Sequence, residues 1–203
     1  MILDHLVVGA RTLAEAQAHI EDRLGVSMQP GGQHAVFHTH NALLGLADGL
    51  YLEAIAPDPS LPTPERPRWY DLDRFSGAAR LSNWAAAVTD MDHALTKMPD
   101  GCGAPVQVQR GDLNWRMAVS ADGTTPYGNL WPALIEWPPG VHPAGRLAPS
   151  GLRLRRFTLR HPDAAALAEA LAGRMQDDRI AVEAGAPGME AVFDGPHGTC
   201  TLG

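Results

Sequence analysis

Leu3-Asp4-His5-Leu6-Val7-Val8, followed at once by Gly9-Ala10-Arg11-Thr12-Leu13-Ala14-Glu15-Ala16, is the passage that decides the fold. Its first half is a short apolar run interrupted by two polar residues, the mark of a strand with one wet face. Its second half opens a helix. Thr12 stands at the cap and Glu15 follows three residues later, the pair that forms a reciprocal capping box. Leu13, Ala16, Ile20 and Leu24 then recur at helical spacing, and Gly25 supplies the left-handed residue that ends a helix. Beyond the turn Pro30-Gly31-Gly32, three strand-like pieces follow at 34–38, 42–46 and 50–56, the last two joined by the hairpin signal Asp48-Gly49.

The same order is written twice more. In the second copy Leu81-Ser82-Asn83-Trp84 stands where the first has Leu3-Asp4-His5-Leu6, and Asp90 caps a short helix over 91–98. Strands are expected at 106–109, 113–120 and 131–137. The third copy starts with a strand at 154–159 and a helix opened by Pro162-Asp163. Strands near 180–183, 189–193 and 199–202 complete it. The expected fold class is therefore α+β: tandem βαβββ units in a curved mixed sheet over residues 1–145, with a third βαβββ-like unit at 146–203 packed on it. The Pro-rich connector 57–68, with prolines at 57, 59, 62, 64 and 67, reads as a stiff extended link or a rim over a cleft.

Composition narrows the function classes. At 203 residues, 45% hydrophobic and 19% charged, the chain can bury a substantial core. A net charge of -7 argues against a nucleic-acid partner. The one arginine-rich strand, with Arg153, Arg155, Arg156 and Arg160, reads as a solvated face. Two cysteines, Cys102 and Cys200, make neither a disulfide framework nor a CxxC pair. No apolar run approaches the ~18 residues of a membrane span, and the opening residues lack the basic start of a signal peptide. The expected setting is the cytoplasm, without membrane or nucleic-acid partners. Neither a dinucleotide fingerprint nor a GxSxG motif is present.

A βαβββ unit written in tandem, with an ionisable residue in the first strand and a Glu in the fourth, resembles the vicinal oxygen chelate superfamily of glyoxalases, extradiol dioxygenases and bleomycin-resistance proteins. The residues that carry this are Leu3-Asp4-His5-Leu6-Val7-Val8 and Gly49-Leu50-Tyr51-Leu52-Glu53-Ala54-Ile55-Ala56-Pro57. The stretches 34–41 and 41–46, Arg66-Pro67-Arg68-Trp69 and Leu134-Ile135-Glu136-Trp137 look like the glyoxalase-like domain branch.

The resemblance implies a cleft between paired units, with His5, Glu53, Asn83 and Glu136 at the ligand positions. His5, Glu53 and Glu136 would then hold a divalent metal, Mn, Fe, Ni or Zn, with open positions for a bidentate oxygen substrate. Glu53 and Glu136 are the expected catalytic carboxylates of a lyase, isomerase or dioxygenase type of enzyme. Asn83 departs from the pattern, since an amide oxygen is a poor transition-metal ligand.

The alternative is a metal-free protein that binds or sequesters a small molecule in the same cleft, where His5 and Glu53 simply pair. His40 and Asn41, from the His38-Thr39-His40-Asn41 turn, and Trp115, on a middle strand, are the further binding candidates. Trp84, one past Asn83, is expected to face the opposite side and pack. The third unit carries no equivalent pair, which suits a structural role on an open sheet edge or at a homodimer contact.

Overall fold

A computed structural model describes residues 1–203. The first repeat is β1 (Ile2–Gly9), α1 (Leu13–Leu24), β2 (Gln29–His34), β3 (Thr39–Gly45) and β4 (Tyr51–Pro57). The second is β5 (Arg80–Ala87), α2 (Met91–Leu95), β6 (Ala104–Arg110), β7 (Leu113–Val119) and β8 (Ala133–Glu136). Their eight strands form one sheet in the order β2-β3-β4-β1-β5-β8-β7-β6. The order is symmetric about the antiparallel β1/β5 pair, so two equivalent units meet through their first strands. The sheet curls until its edge strands approach, with Gly32 of β2 against Arg110 of β6.

Local signals account for much of this. Thr12 and Glu15 form both bonds of the capping box, and Gly25 closes α1 with φ of 68°. Asp48 and Gly49 both take left-handed φ, as a tight two-residue hairpin requires. The expected strand at 34–38 is not formed. The chain pairs one segment earlier, through Gln29–His34, and turns over 35–38 with His38 in a left-handed conformation. Gly31 and Gly32 lie inside β2 instead of forming a turn, and a register shift between Pro30 and Gln33 absorbs them.

The third unit, β9 (Arg153–His161), α3 (Ala164–Leu171), β10 (Ile180–Ala184), β11 (Gly188–Gly195) and β12 (Gly198–Leu202), has the expected element order but another winding. Its strands run β10-β9-β11-β12, so its first strand is central where the first strands of the other two repeats lie at the edge of their own units. It covers a face of the large sheet, which corrects the expected edge role. Phe157, Leu159, Phe193 and Leu202 join Leu6, Leu52 and Trp84 and the α1 residues Ala16, Ile20 and Leu24 in one buried cluster. Trp84 is fully buried there, edge-on to Phe157, with its indole N–H donating to Leu130 O. On the solvent side, Arg156 pairs with Glu183 and Arg160 with Glu190. No helix is long and apolar enough to cross a membrane.

Candidate functional site

The concave face of the large sheet carries the site, and two bulges in the central pair set it up. Leu3 pairs with Ala86 and His5 with Ala85, so Asp4 is an extra residue in β1. Val7 pairs with Asn83 and Val8 with Leu81, so Ser82 is the matching extra residue in β5. A bulge turns two consecutive side chains to one face. Leu3 and Leu6 therefore enter the core on the convex side while Asp4 and His5 both face the cleft.

His5 is the centre of a buried chain of polar groups. Its Nδ1 donates to Asp4 Oδ1 at 2.6 Å, and its Nε2 lies 3.5 Å from Glu53 Oε2 and 3.3 Å from the Tyr70 hydroxyl. The ring of Tyr51 stacks on the imidazole. Asp4 Oδ2 accepts from Trp137 Nε1 at 3.0 Å and from His142 Nε2 at 3.1 Å. Asn41 Nδ2 donates to Glu53 Oε1, and Asn41 Oδ1 accepts from Gly32 N. His34 completes the set, with Nδ1 3.0 Å from Thr39 Oγ1 and its ring edge-on to Trp69 and Trp115.

Electrostatics follows from burial and pairing. Burial opposes charge on His5, yet its bonds to Asp4 and Glu53 outweigh that and raise its pKa to about 9. Asp4 and Glu53 are likewise opposed by burial but end below the usual carboxylate range, held there by His142 and His5 for Asp4 and chiefly by His5 for Glu53. The three form a carboxylate, imidazolium, carboxylate triplet at neutral pH. For His34 burial outweighs the pull of the Glu53 carboxylate and lowers its pKa to about 4, so it is neutral.

The second repeat does not mirror these donors. The step that carries His5 to Asn83 carries Val7 to Ala85, and Glu53, paired with Val7, to Ala133, paired with Ala85. Ala85, Ala133 and Ile135 line the concave face. Glu136 lies on the other face of β8, which corrects the expected convergence. Its carboxylate accepts from Met91 N at the start of α2 and pairs with Arg116 Nη1 at 2.9 Å. A side chain one position from a cleft-facing residue on a strand points away from the cleft.

Asn83 is buried on the concave side, its amide nitrogen set to donate to Ser82 O and Tyr70 O, and it makes no hydrogen bond to His5. His40 faces away from Asn41, half-buried with Nε2 unpartnered, and does not reach the cleft. Trp115 does line it, beside Trp137 at 5.1 Å.

A transition metal does not fit this donor set. One imidazole nitrogen and one carboxylate face each other, Tyr70 fills the space next to them, and no group of three or more His, Cys, Asp or Glu side chains is arranged around a common point. Catalytic and structural sites of these metals need three or four protein ligands. The same side chains enclose a space of about 10 Å³ bounded by Tyr51, Trp69, Tyr70, Trp115, Trp137 and Arg110, room for about one water. Sequence reasoning does not single out Asp4, His34, Tyr51, Tyr70, Arg110 or His142. Only Asp4, His34 and Tyr51 lie within the stretches that carry the resemblance.

A sequence model described as a glyoxalase-like domain matches residues 3–174. No curated protein matches the chain. Among solved structures, a hypothetical protein from Staphylococcus aureus is 12% identical with a TM-score of 0.60, over 92% of this chain and 87% of that one. A methylmalonyl-CoA epimerase variant from Streptomyces coelicolor, in complex with 2-nitronate-propionyl-CoA, is 14% identical with a TM-score of 0.45, over 69% and 96%. The epimerase from Mycobacterium tuberculosis is 19% identical with a TM-score of 0.44, over 68% and 88%.

Proposed function

The chain belongs to the glyoxalase-like domain family, and on that premise we propose that it binds a small organic molecule at the His5–Glu53 pair without a resident metal. The observation that carries this reading is the missing half of the ligand set: Asn83 and Ala133 stand where the second repeat would have to supply donors. The aromatic walls, Tyr51, Trp69, Trp115 and Trp137, suit a flat or apolar body, and the ionised Glu53 suits a hydrogen-bond donor on it. Opening requires the turn Trp69–Arg74 to move, since Tyr70 fills the cleft.

A proton-transfer enzyme is the second reading, and one feature favours it. From Glu53 the polar chain runs through His5 and Asp4 to His142, which is partly exposed. Glu53 would accept a proton from the bound molecule, the imidazolium would offset the developing negative charge, and His142 would exchange protons with water.

Metal analysis tests the premise shared by both readings. Protein purified without chelator or metal-affinity tag, then dialysed against Mn, Fe(II), Ni or Zn, is expected to retain well under one ion per chain. A stoichiometric ion that disappears in Glu53→Gln would overturn it.

A further inference from the structure

The group that fills the cleft is itself a phenol. Tyr70 is buried with its hydroxyl 3.3 Å from His5 Nε2. Its placement is strained: Tyr70 and Asp71 hold φ of 58° and 57°, a conformation costing a non-glycine residue about 1 kcal/mol or more. The turn is fastened by Asp71 N donating to Gly123 O and by Asn129 Nδ2 donating to Asp71 Oδ2. Gly123 is required there, because a Cβ on it would come within 2.0 Å of Arg68 O.

Arg110 is the other unabsorbed group. Its stem packs on Gly32, where a Cβ would meet Arg110 Cγ at 2.9 Å. Arg110 lines the closed space, and its charge is near enough to act on His34 and Tyr51. It is half-buried and makes no ion pair; the other half-buried arginines without a carboxylate have different partners, Arg66 lying over the Phe37 ring and Arg174 donating to Lys97 O and Ala170 O. The planar Arg110 guanidinium, with all its donors free, suits a bidentate pair with a carboxylate.

We propose that the occupant of the cleft is a small hydroxyaromatic acid, whose phenol replaces that of Tyr70 beside His5 and Glu53 and whose carboxylate pairs with Arg110. This rests on the reading that the cleft takes a small organic molecule. The phenol O–H donates to the Glu53 carboxylate, the ring lies among Tyr51, Trp115 and Trp137, and the acid group sits away from Glu53 and Asp4. Tyr70 is then a self-ligand that the true ligand displaces, with release of the left-handed turn contributing to binding.

Calorimetric titration with 4-hydroxybenzoate, benzoate and 4-hydroxybenzamide tests this, because the second lacks the phenol and the third the charge. Wild-type protein is expected to bind 4-hydroxybenzoate at least about tenfold more tightly than either, a difference of about 1.4 kcal/mol. Tyr70→Ala is expected to raise that affinity about tenfold or more. Arg110→Gln removes the preference over 4-hydroxybenzamide, and Arg155→Gln, on a remote strand, leaves it intact. If Tyr70→Ala does not fold, Tyr70→Phe, which keeps the ring and loses the bond to His5, is expected to show a smaller gain in the same direction. Equal binding of all three compounds, or an unchanged preference in Arg110→Gln, overturns the proposal while leaving a small-molecule cleft in place. Binding of none of them, by wild type or by a folded Tyr70 variant, overturns the proposal, and a cleft that also refuses neutral aromatics loses the broader reading with it.

Discussion

His5 and His34 share one cavity and titrate in opposite senses. The raised pKa of His5, about 9, means that the folded state holds a proton the unfolded chain releases near 6.5. Its contribution is complete below pH 6.5 and is lost as pH climbs toward 9. His34, lowered to about 4, must enter the fold neutral, so stability falls as pH drops from 6.5 toward 4, where the unfolded chain binds the extra proton. Unfolding free energy is therefore expected to peak near pH 6.5. Each side should drop by a few kcal/mol at most, because each tenfold difference in proton affinity between the folded and unfolded chain is worth about 1.4 kcal/mol. Urea melts at pH 5, 6.5 and 8.5 measure it. His34→Gln should flatten the acid side and Glu53→Gln the alkaline side. A curve that rises steadily from pH 6.5 to 8.5 would contradict the buried imidazolium.

The bulges and turns of single elements decide which residues meet. Gly31 of β2 lies so close to Asn41 that a Cβ there would sit 2.0 Å from Asn41 Oδ1. Gly31→Ala is thus expected to displace the amide that binds Glu53, costing about 1–3 kcal/mol and weakening ligand binding without touching the cleft itself. Denaturant melts and titration of any cleft ligand check the two effects separately, and a full-stability, full-affinity variant would show that Asn41 is dispensable. The same elements explain what is legible in the sequence. Capping at Thr12, the hairpin at Asp48-Gly49 and the first-strand match of the two repeats are local, so they can be read from neighbours in the chain. The bulge at Asp4 is not local. Strict alternation would turn Asp4 and His5 to opposite faces, and only pairing with β5 shows that both enter the cleft. Glu136 is misplaced by sequence reasoning for the same reason. Leu134-Ile135-Glu136-Trp137 matches the family pattern, but a one-residue difference in register exchanges the faces of a strand. Arg110 joins the site through the curl of the whole sheet and His142 through the loop that follows β8, and neither leaves a signature in nearby sequence.

At the scale of the molecule, the C-terminal sheet forms part of the floor on which the cleft stands. The convex side of β1, β4 and β5 shares one buried cluster with β9, β11 and β12, and the cleft lies on the opposite side of those same strands. Displacing Leu6 or Leu52 moves the backbone that carries His5 and Glu53. Phe157, fully buried and edge-on to Trp84, is one of the side chains that link the two sheets. Phe157→Ala is expected to cost about 3–5 kcal/mol and to lower the stability of both sheets together. All five tryptophans lie between residues 69 and 137, so the midpoint of intrinsic fluorescence follows unfolding of the large sheet, with Trp84 at its boundary with the small one, while a dye on half-buried Cys200 reports the small sheet. In wild type and variant the two signals should trace one transition, shifted by the same amount. If the fluorescence midpoint stayed in place while the dye signal moved, the large sheet would be stable on its own, and the role of the third unit in holding the site would fall.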